Sequence, residues 1–137
     1  MAISLNCIFL GMTNLFDSFA VSIKEENNNI NGTLVNYNNV KIVHLKHLIC
    51  LETNINIGNY NGLNLWKVAS GVNLEDIITE EQIEDKGEKL VPINYVSKYF
   101  PGQAEADDSL IIVQVPTGKC LPMVYLSNKK FALSHVL

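Results

Sequence analysis

The chain has 137 residues, of which 47% are apolar and 18% charged, and ten basic against fourteen acidic residues give a formal net charge of -4. This length and composition fit one globular domain with a modest core, without room for a second catalytic domain. Arginine, whose forked guanidinium is the usual ligand of phosphate, is absent from the sequence. We therefore expect a single domain that does not bind nucleic acid by itself.

The cysteines and the apolar segments bear on the compartment. Cys7, Cys50 and Cys120 are odd in number, far apart and without a CxxC pair, so free thiols are expected rather than a disulfide framework or a zinc ribbon. The start, MAISLNCIFLGM, lacks the basic region and the long apolar run of a secretory signal. No segment approaches the roughly 18 apolar residues of a membrane span, so none is predicted.

The first elements along the chain are a predicted hairpin and a predicted loop. Residues 3–11 (ISLNCIFLG) and 15–23 (LFDSFAVSI) alternate between apolar and polar around a short turn, which is typical of two antiparallel strands. The next stretch, KEENNNINGTLVNYNN, is too rich in asparagine to form core and is interpreted as an exposed insertion.

A helix follows in residues 38–54. Its apolar side chains recur at helical spacing, at Ile42, Leu45, Leu48 and Ile49. Asn38 or Asn39 is available as N-cap. The pattern predicts one amphipathic helix of about three to four turns.

The second half contains two predicted strands separated by an irregular connection. After a polar loop through Gly58 and Gly62, the first strand is LNLWKVA (residues 63–69), and the last is SLIIVQVP (109–116). Between them lie an acidic stretch (74–89) and a short helical turn within LVPINYVSKYFPG. The last strand is apolar on both faces, so we place it centrally, beside the first strand and parallel to it.

The element order is that of the ubiquitin-like β-grasp, an α+β fold in which one helix packs across a mixed sheet. One folding unit is expected over residues 1–116, with residues 117–137 as a tail that forms no separate domain. The expected core consists of the apolar positions of the periodic segments, namely Leu5, Ile8, Ile23, Leu45, Ile49, Leu65, Ile111 and Val113.

Candidate chemical sites are weak. His44, His47 and Cys50 recur every three residues on the predicted helix, but such steps drift around the helix and no fourth ligand is near in sequence. A Cys and His nucleophile pair has no geometry to support it, and Cys7 lies within a strand. P-loop, GxGxxG and GxSxG motifs are absent from the sequence. We therefore expect no metal, no cofactor and no enzymatic activity.

Two predicted surface features, the acidic run and a glycosylation sequon, each allow two interpretations. The acidic run between Glu75 and Glu88 is a solvated surface or a docking face for a basic partner. Asn31-Gly32-Thr33 is a glycosylation sequon in the predicted exposed loop, and it matters only if the chain crosses a secretory lumen.

Trp66 is the only tryptophan of the chain and follows Leu65 in the predicted strand. Alternation gives Leu63, Leu65 and Lys67 one face and Trp66 the other. With the leucines toward the helix, Trp66 falls on the outer face, under a loop or open to a partner. It is then a half-buried anchor whose indole N–H reaches a backbone acceptor, or an exposed interaction hot spot.

Several segments together resemble the N-terminal domain of Crinkler effectors, which oomycetes secrete and fungi also possess. In chain order they are LNCIFLG, FAVSI, VHLKHLI, LNLWKV, LVPINYVSKYFP and IIVQVP, which span about residues 3 to 116. LNLWKV occupies the position of the family's LxLFLAK motif, in a form associated with fungal members. The correspondence falls on Leu63, Leu65, Trp66 and Lys67.

The resemblance implies a ubiquitin-like fold and a secreted effector header domain that takes part in delivery into host cells, including the host nucleus. The motif resembles a translocation signal, and in the family a variable C-terminal domain carries the effector activity. Here only residues 117–137 follow the last predicted strand, so we expect this N-terminal domain alone. The alternatives are an intracellular ubiquitin-like adaptor and, because the chain ends without diglycine, less readily a conjugated modifier. The expected partner is a host or self protein, including a second copy.

Overall fold

A computed structural model describes residues 2–54 and 62–115 of the chain. The strands are β1 Ile3–Phe9, β2 Phe19–Ile23, β3 Asn28–Ile30, β4 Thr33–Val35, β5 Asn64–Ala69, β6 Glu88–Lys89 and β7 Ser109–Gln114. The α-helices are α1 Ile42–Thr53, α2 Glu80–Lys86, α3 Val96–Tyr99 and α4 Gln103–Asp107. Within these two ranges, no helix is both long and apolar enough to cross a membrane.

Five strands form one mixed sheet in the order β2-β1-β7-β5-β6. β1 pairs antiparallel with β2 and parallel with β7, whereas β5 pairs antiparallel with both β7 and β6. This arrangement confirms the predicted ubiquitin-like α+β fold and the central, parallel position of the last strand. The sheet carries α1 as its longest helix. Helix α3 lies within the short helical turn predicted in LVPINYVSKYFPG, whereas α2 and α4 were not predicted.

The asparagine-rich stretch is more ordered than the predicted exposed loop. It contains the hairpin of β3 and β4, and Asn28 is only 7% exposed. The Asn28 amide donates to the carbonyls of Lys24 (2.8 Å) and Val35 (2.9 Å), and its oxygen accepts from the Lys24 N–H (2.8 Å). A buried asparagine is tolerated because its amide group forms these bonds.

The tip of this hairpin is a two-residue turn. Asn31 and Gly32 have φ angles of 54° and 85°, the left-handed conformation that favours Asn-Gly in such turns. Ile30 is buried, whereas both turn residues and Thr33 are exposed. The loop prediction was therefore wrong for β3 and β4, whereas the prediction that the sequon is exposed was correct.

The two predicted strands of the first hairpin are not equally long. β1 begins at Ile3 as predicted, but β2 begins only at Phe19, because Leu15–Asp17 form a 3-10 turn. The side chain of Asn14 accepts a hydrogen bond from the Phe16 N–H at 3.0 Å and initiates that turn. Local side-chain capping therefore overrides the alternating pattern here.

Helix α1 has 12 residues, which confirms its predicted length. Asn38 and Asn39 lie in a preceding 3-10 turn, and the N-cap is Lys41, whose backbone N–H donates to Nδ1 of His44 at 3.0 Å. Three of the four predicted apolar positions are fully buried, and Leu48 is half-buried. The helix ends at Asn54, which adopts the left-handed conformation with φ of 58°.

The acidic stretch is exposed at its charged positions but also contributes to the core. Leu74, Ile77 and Ile83 are at most 7% exposed. Helix α2 begins with a capping box, in which Thr79 accepts from the Gln82 N–H and Gln82 accepts from the Thr79 N–H. The stretch is thus a folded connection with a solvated acidic side.

The predicted core is confirmed at every position. All eight residues are at most 1% exposed: Leu5, Ile8, Ile23, Leu45, Ile49, Leu65, Ile111 and Val113. Periodicity identified them because a strand alternates its faces and a helix repeats its buried face every three to four residues.

Candidate functional site

The LNLWKV segment (residues 63–68) lies inside the sheet. From Asn64 onward it forms β5, between the central β7 and the short β6. Leu63 and Leu65 are fully buried, and Leu65 pairs with Val113 of β7. The Leu65 carbonyl accepts from the Leu90 N–H at 2.8 Å, beyond the end of β6. The segment is therefore held by backbone bonds on both sides.

Lys67 points to the same face as Leu65 and connects β5 to the helical layer. Its ammonium donates to the Tyr99 carbonyl at 2.7 Å and lies 3.2 Å from a carboxylate oxygen of Glu105. The ammonium is also 5.0 Å from the centre of the Phe100 ring, a cation–π distance. The side chain is 18% exposed, so these contacts are partly shielded from water.

Glu105 on α4 is the charged partner of Lys67. Lys67 lowers the pKa of this carboxyl through its hydrogen bond and its charge, and a hydrogen bond from the Ser109 hydroxyl lowers it further. The Ser109 hydroxyl lies 3.2 Å from the carboxylate and 2.8 Å from the Glu105 carbonyl. Since Ser109 begins β7, this cluster joins α4 to two neighbouring strands.

Trp66 occupies the opposite face of β5. Its indole Nε1 donates to the side-chain oxygen of Gln114 at 3.0 Å, and Asn64 Nδ2 donates to the same oxygen at 3.4 Å. The Lys89 ammonium lies 5.7 Å from the ring centre. Trp66 is on the predicted outer face, but it is only 5% exposed, so the half-buried assignment and the backbone acceptor were both wrong.

The burial of Trp66 belongs to a wider apolar area on that face. Four strand residues with at most 4% exposure share it: Ile8, Val68, Leu110 and Ile112. A Cβ placed on Gly87 would lie 3.1 Å from Ile83 and 3.2 Å from Val68, so the end of α2 packs onto this face. The tryptophan is consequently a core residue, which removes the exposed hot spot as an interpretation.

The helical His and Cys residues do not assemble a metal site. His44 accepts at Nδ1 from the Lys41 N–H, and burial, Lys41 and His47 all lower its pKa. Burial raises the pKa of Cys50. In the part of the chain that the structure describes, no three His, Cys, Asp or Glu side chains are grouped as a metal would require.

Cys7 is a fully buried thiol. Its Sγ donates to the Leu5 carbonyl at 3.7 Å, and burial strongly raises its pKa. A thiol that stays protonated is a poor nucleophile. Cys120 lies outside the described residues.

Sequence reasoning identified the segment but not its partners. Tyr99 lies 32 residues from Lys67, and Gln114 lies 48 residues from Trp66. Contacts between residues so far apart in the chain produce no local sequence pattern from which they could be predicted. The one available signal was the lysine at an inward-facing strand position, because a buried stem with a charged head requires an internal acceptor.

Strand order and pairing define a ubiquitin-like domain, and the LNLWKV segment is an internal strand of it. Residues 3–114 match the model of the Crinkler family, described as the Crinkler effector protein N-terminal domain. The chain therefore belongs to this family of effector header domains, in which the N-terminal domain is not the catalytic part. Comparisons with curated proteins and with solved structures found no match.

Proposed function

We propose that this domain is the N-terminal part of a secreted effector and supports delivery of the protein into host cells. The match of residues 3–114 to the Crinkler N-terminal domain is the observation that carries the proposal. The proposed compartment is the host cell, including its nucleus. The tryptophan, lysine and valine at positions 66 to 68 further suggest the fungal form of the motif.

The proposed role of the LNLWKV segment is to hold the domain together. Leu65 is fully buried and Trp66 is 5% exposed, so a receptor that meets the folded domain does not reach them. The Lys67 ammonium is engaged by Tyr99 and Glu105. Delivery would then depend on the segment because the domain must be folded, not because its side chains are recognised.

Delivery can be measured with a split reporter. One fragment is fused to the domain in the producing organism, and host cells carry the complementary fragment. Trp66→Ala and Lys67→Ala are compared with Ile23→Ala, a fully buried core change outside the segment, and with Leu51→Ala, an exposed change. The melting temperature and the secreted amount of each variant are measured in parallel.

We expect delivery to fall with stability along one common relation for the segment variants and for Ile23→Ala, while Leu51→Ala stays unchanged. A segment variant that melts and is secreted as the parent chain is, yet fails to enter host cells, would instead identify a directly recognised signal. Absence of the unmodified domain from host cells would reject the delivery function and leave the intracellular adaptor.

The sequon offers a test of the route of secretion. Asn31 and Thr33 are exposed at the β3–β4 turn. A chain that crosses a secretory lumen is expected to carry an N-glycan at Asn31. Mass spectrometry of the secreted chain before and after glycosidase treatment measures this, with Thr33→Ala as the matched variant. An unmodified secreted chain would contradict passage through that lumen.

A further inference from the structure

The two edges of the main sheet differ in how they are protected. β6 is an edge of only two residues, both charged, and short charged edges resist pairing with other chains. β2, the opposite edge, has five residues, FAVSI, with no charge and no proline. β2 therefore lacks the usual features that prevent a further strand from adding to a sheet.

Hydrogen bonds at β1 establish which backbone groups of β2 point away from the sheet. Ser4 donates its N–H to the Gln103 side chain at 2.9 Å, and its carbonyl accepts from that side chain at 3.0 Å. Gln103 belongs to α4, which leads into β7, so these Ser4 groups point toward β7 and away from β2. Its partner Ser22 must then direct its own N–H and C=O outward.

The contacts of Asn28 show independently that the backbone groups of Ser22 point away from the sheet. Its side-chain amide bonds both the N–H and the C=O of Lys24, as a neighbouring strand would. Outward groups alternate along a strand, so Ala20 and Ser22 present theirs on the same edge as Lys24. Among residues 2–54 and 62–115, no hydrogen bond to the backbone of Ala20 or Ser22 occupies this edge.

We propose that this free edge pairs with the same edge of a second copy, β2 against β2 in antiparallel orientation, and joins two sheets into one. In this register Ala20 lies opposite the partner's Ser22 and Val21 opposite its equivalent. Four backbone hydrogen bonds then satisfy all the outward groups. A two-fold axis requires such a self-complementary patch.

Neighbouring registers satisfy fewer groups. A shift toward the end of β2 places Ser22 opposite its equivalent and Ala20 opposite Lys24, whose groups Asn28 already binds. A shift toward the start brings in Ser18, whose N–H already donates to the Leu15 carbonyl at 3.1 Å. The register centred on Val21 is therefore the self-pairing that uses all the free backbone groups of this edge.

The side chains allow this pairing. Ala20 and Ser22 are exposed, small and uncharged, so no bulky or like-charged groups meet across the junction. Only two outward-facing residues of each copy form the junction, far fewer than the roughly 20 to 30 residues a side of a standard interface. We therefore expect a weak dimer that forms only at high protein concentration. This inference does not depend on the proposed delivery function.

Analytical ultracentrifugation from low to high micromolar concentration tests dimer formation, and amide hydrogen exchange tests its location. The N–H groups of Ala20 and Ser22 should gain protection as the concentration rises. Those of Val21 and Ile23, which point to β1, should be protected at every concentration. A chain that stays monomeric at millimolar concentration, or protection gained elsewhere, would overturn the proposal.

Charge variants test the register. Ala20→Lys with Ser22→Lys places lysines opposite each other and should weaken dimerisation at least tenfold without lowering the melting temperature. Glu81→Gln with Glu84→Gln, on the exposed side of α2, raises the net charge equally and should leave the dimer intact. The double-lysine chain should form heterodimers when it is mixed with a chain that carries both Ala20→Glu and Ser22→Glu. Dimers that persist in the double-lysine chain would contradict this interface.

Discussion

The ammonium of Lys67 lies 3.2 Å from the carboxylate of Glu105 and joins the LNLWKV strand to helix α4. The same ammonium donates to the Tyr99 carbonyl at the end of α3. One lysine thus connects a strand to two helices that follow it in the chain. Packing alone therefore explains why a lysine stands at this position of β5.

Lys67→Ala should therefore destabilise the domain. It leaves the Tyr99 carbonyl without its donor and removes the aliphatic stem, with an expected loss of about 1 to 3 kcal/mol in the free energy of unfolding. The matched change is Lys86→Ala on the exposed side of α2, expected to stay within about 0.5 kcal/mol. Urea unfolding measures both. Equal effects of the two substitutions would show that the Lys67 contacts contribute nothing.

The ion pair predicts a dependence of stability on pH. Lys67 holds the pKa of Glu105 below its ordinary value of about 4.3, so the folded state binds the proton less readily than the unfolded state. This contribution is present above the ordinary pKa and is lost as the pH falls through the folded-state value. The stability of the parent chain should therefore exceed that of Glu105→Gln at pH 7, and the difference should shrink toward pH 3. A difference that stays constant over this range would exclude the ion pair as its cause.

The sequence predicted those features that depend on local periodicity. Ile42, Leu45 and Ile49 of α1 and the alternation of β5 follow from repeats within a few residues, and all were placed correctly. The structure of the connection between Ser70 and Gly87 was not predicted, because its three buried apolar residues are separated by acidic residues and form no regular repeat. Its helix α2 depends on the Thr79 and Gln82 cap rather than on an apolar stripe.

The polar contacts of the site could not be predicted, for a different reason. The acceptors of Trp66 and Lys67 lie on β7, α3 and α4, and only the folded sheet brings them together. Asn28 likewise belongs to an asparagine-rich stretch whose composition predicts exposure, yet its amide replaces a strand at the edge of β2. Composition cannot distinguish one buried asparagine from its exposed neighbours.

The assignment of the buried face of α1 can be tested with one substitution at two positions. Leu45→Ala removes a fully buried side chain and should cost about 2 to 5 kcal/mol. Leu51→Ala, on the same helix, removes a side chain that is 61% exposed and should cost less than about 0.5 kcal/mol. Denaturant unfolding compares the two variants directly. A loss below half a kilocalorie at Leu45 would show that the helix packs through another face.

Two substitutions of Trp66 separate the stability that comes from its buried ring from the stability that comes from its hydrogen bond. Because the side chain is 5% exposed, Trp66→Ala should cost about 3 to 5 kcal/mol, more than the modest loss expected of an exposed anchor.

Trp66→Phe keeps an aromatic ring on the outer face but removes the Nε1 donor to Gln114. The Gln114 oxygen retains the Asn64 amide at 3.4 Å, so the loss of the bond itself should be about 1 kcal/mol, plus a smaller cost for the lost ring volume. Trp66→Phe should thus be clearly more stable than Trp66→Ala in urea unfolding. Equal losses would mean that the bond to Gln114, and not the packed ring, holds the outer face of β5.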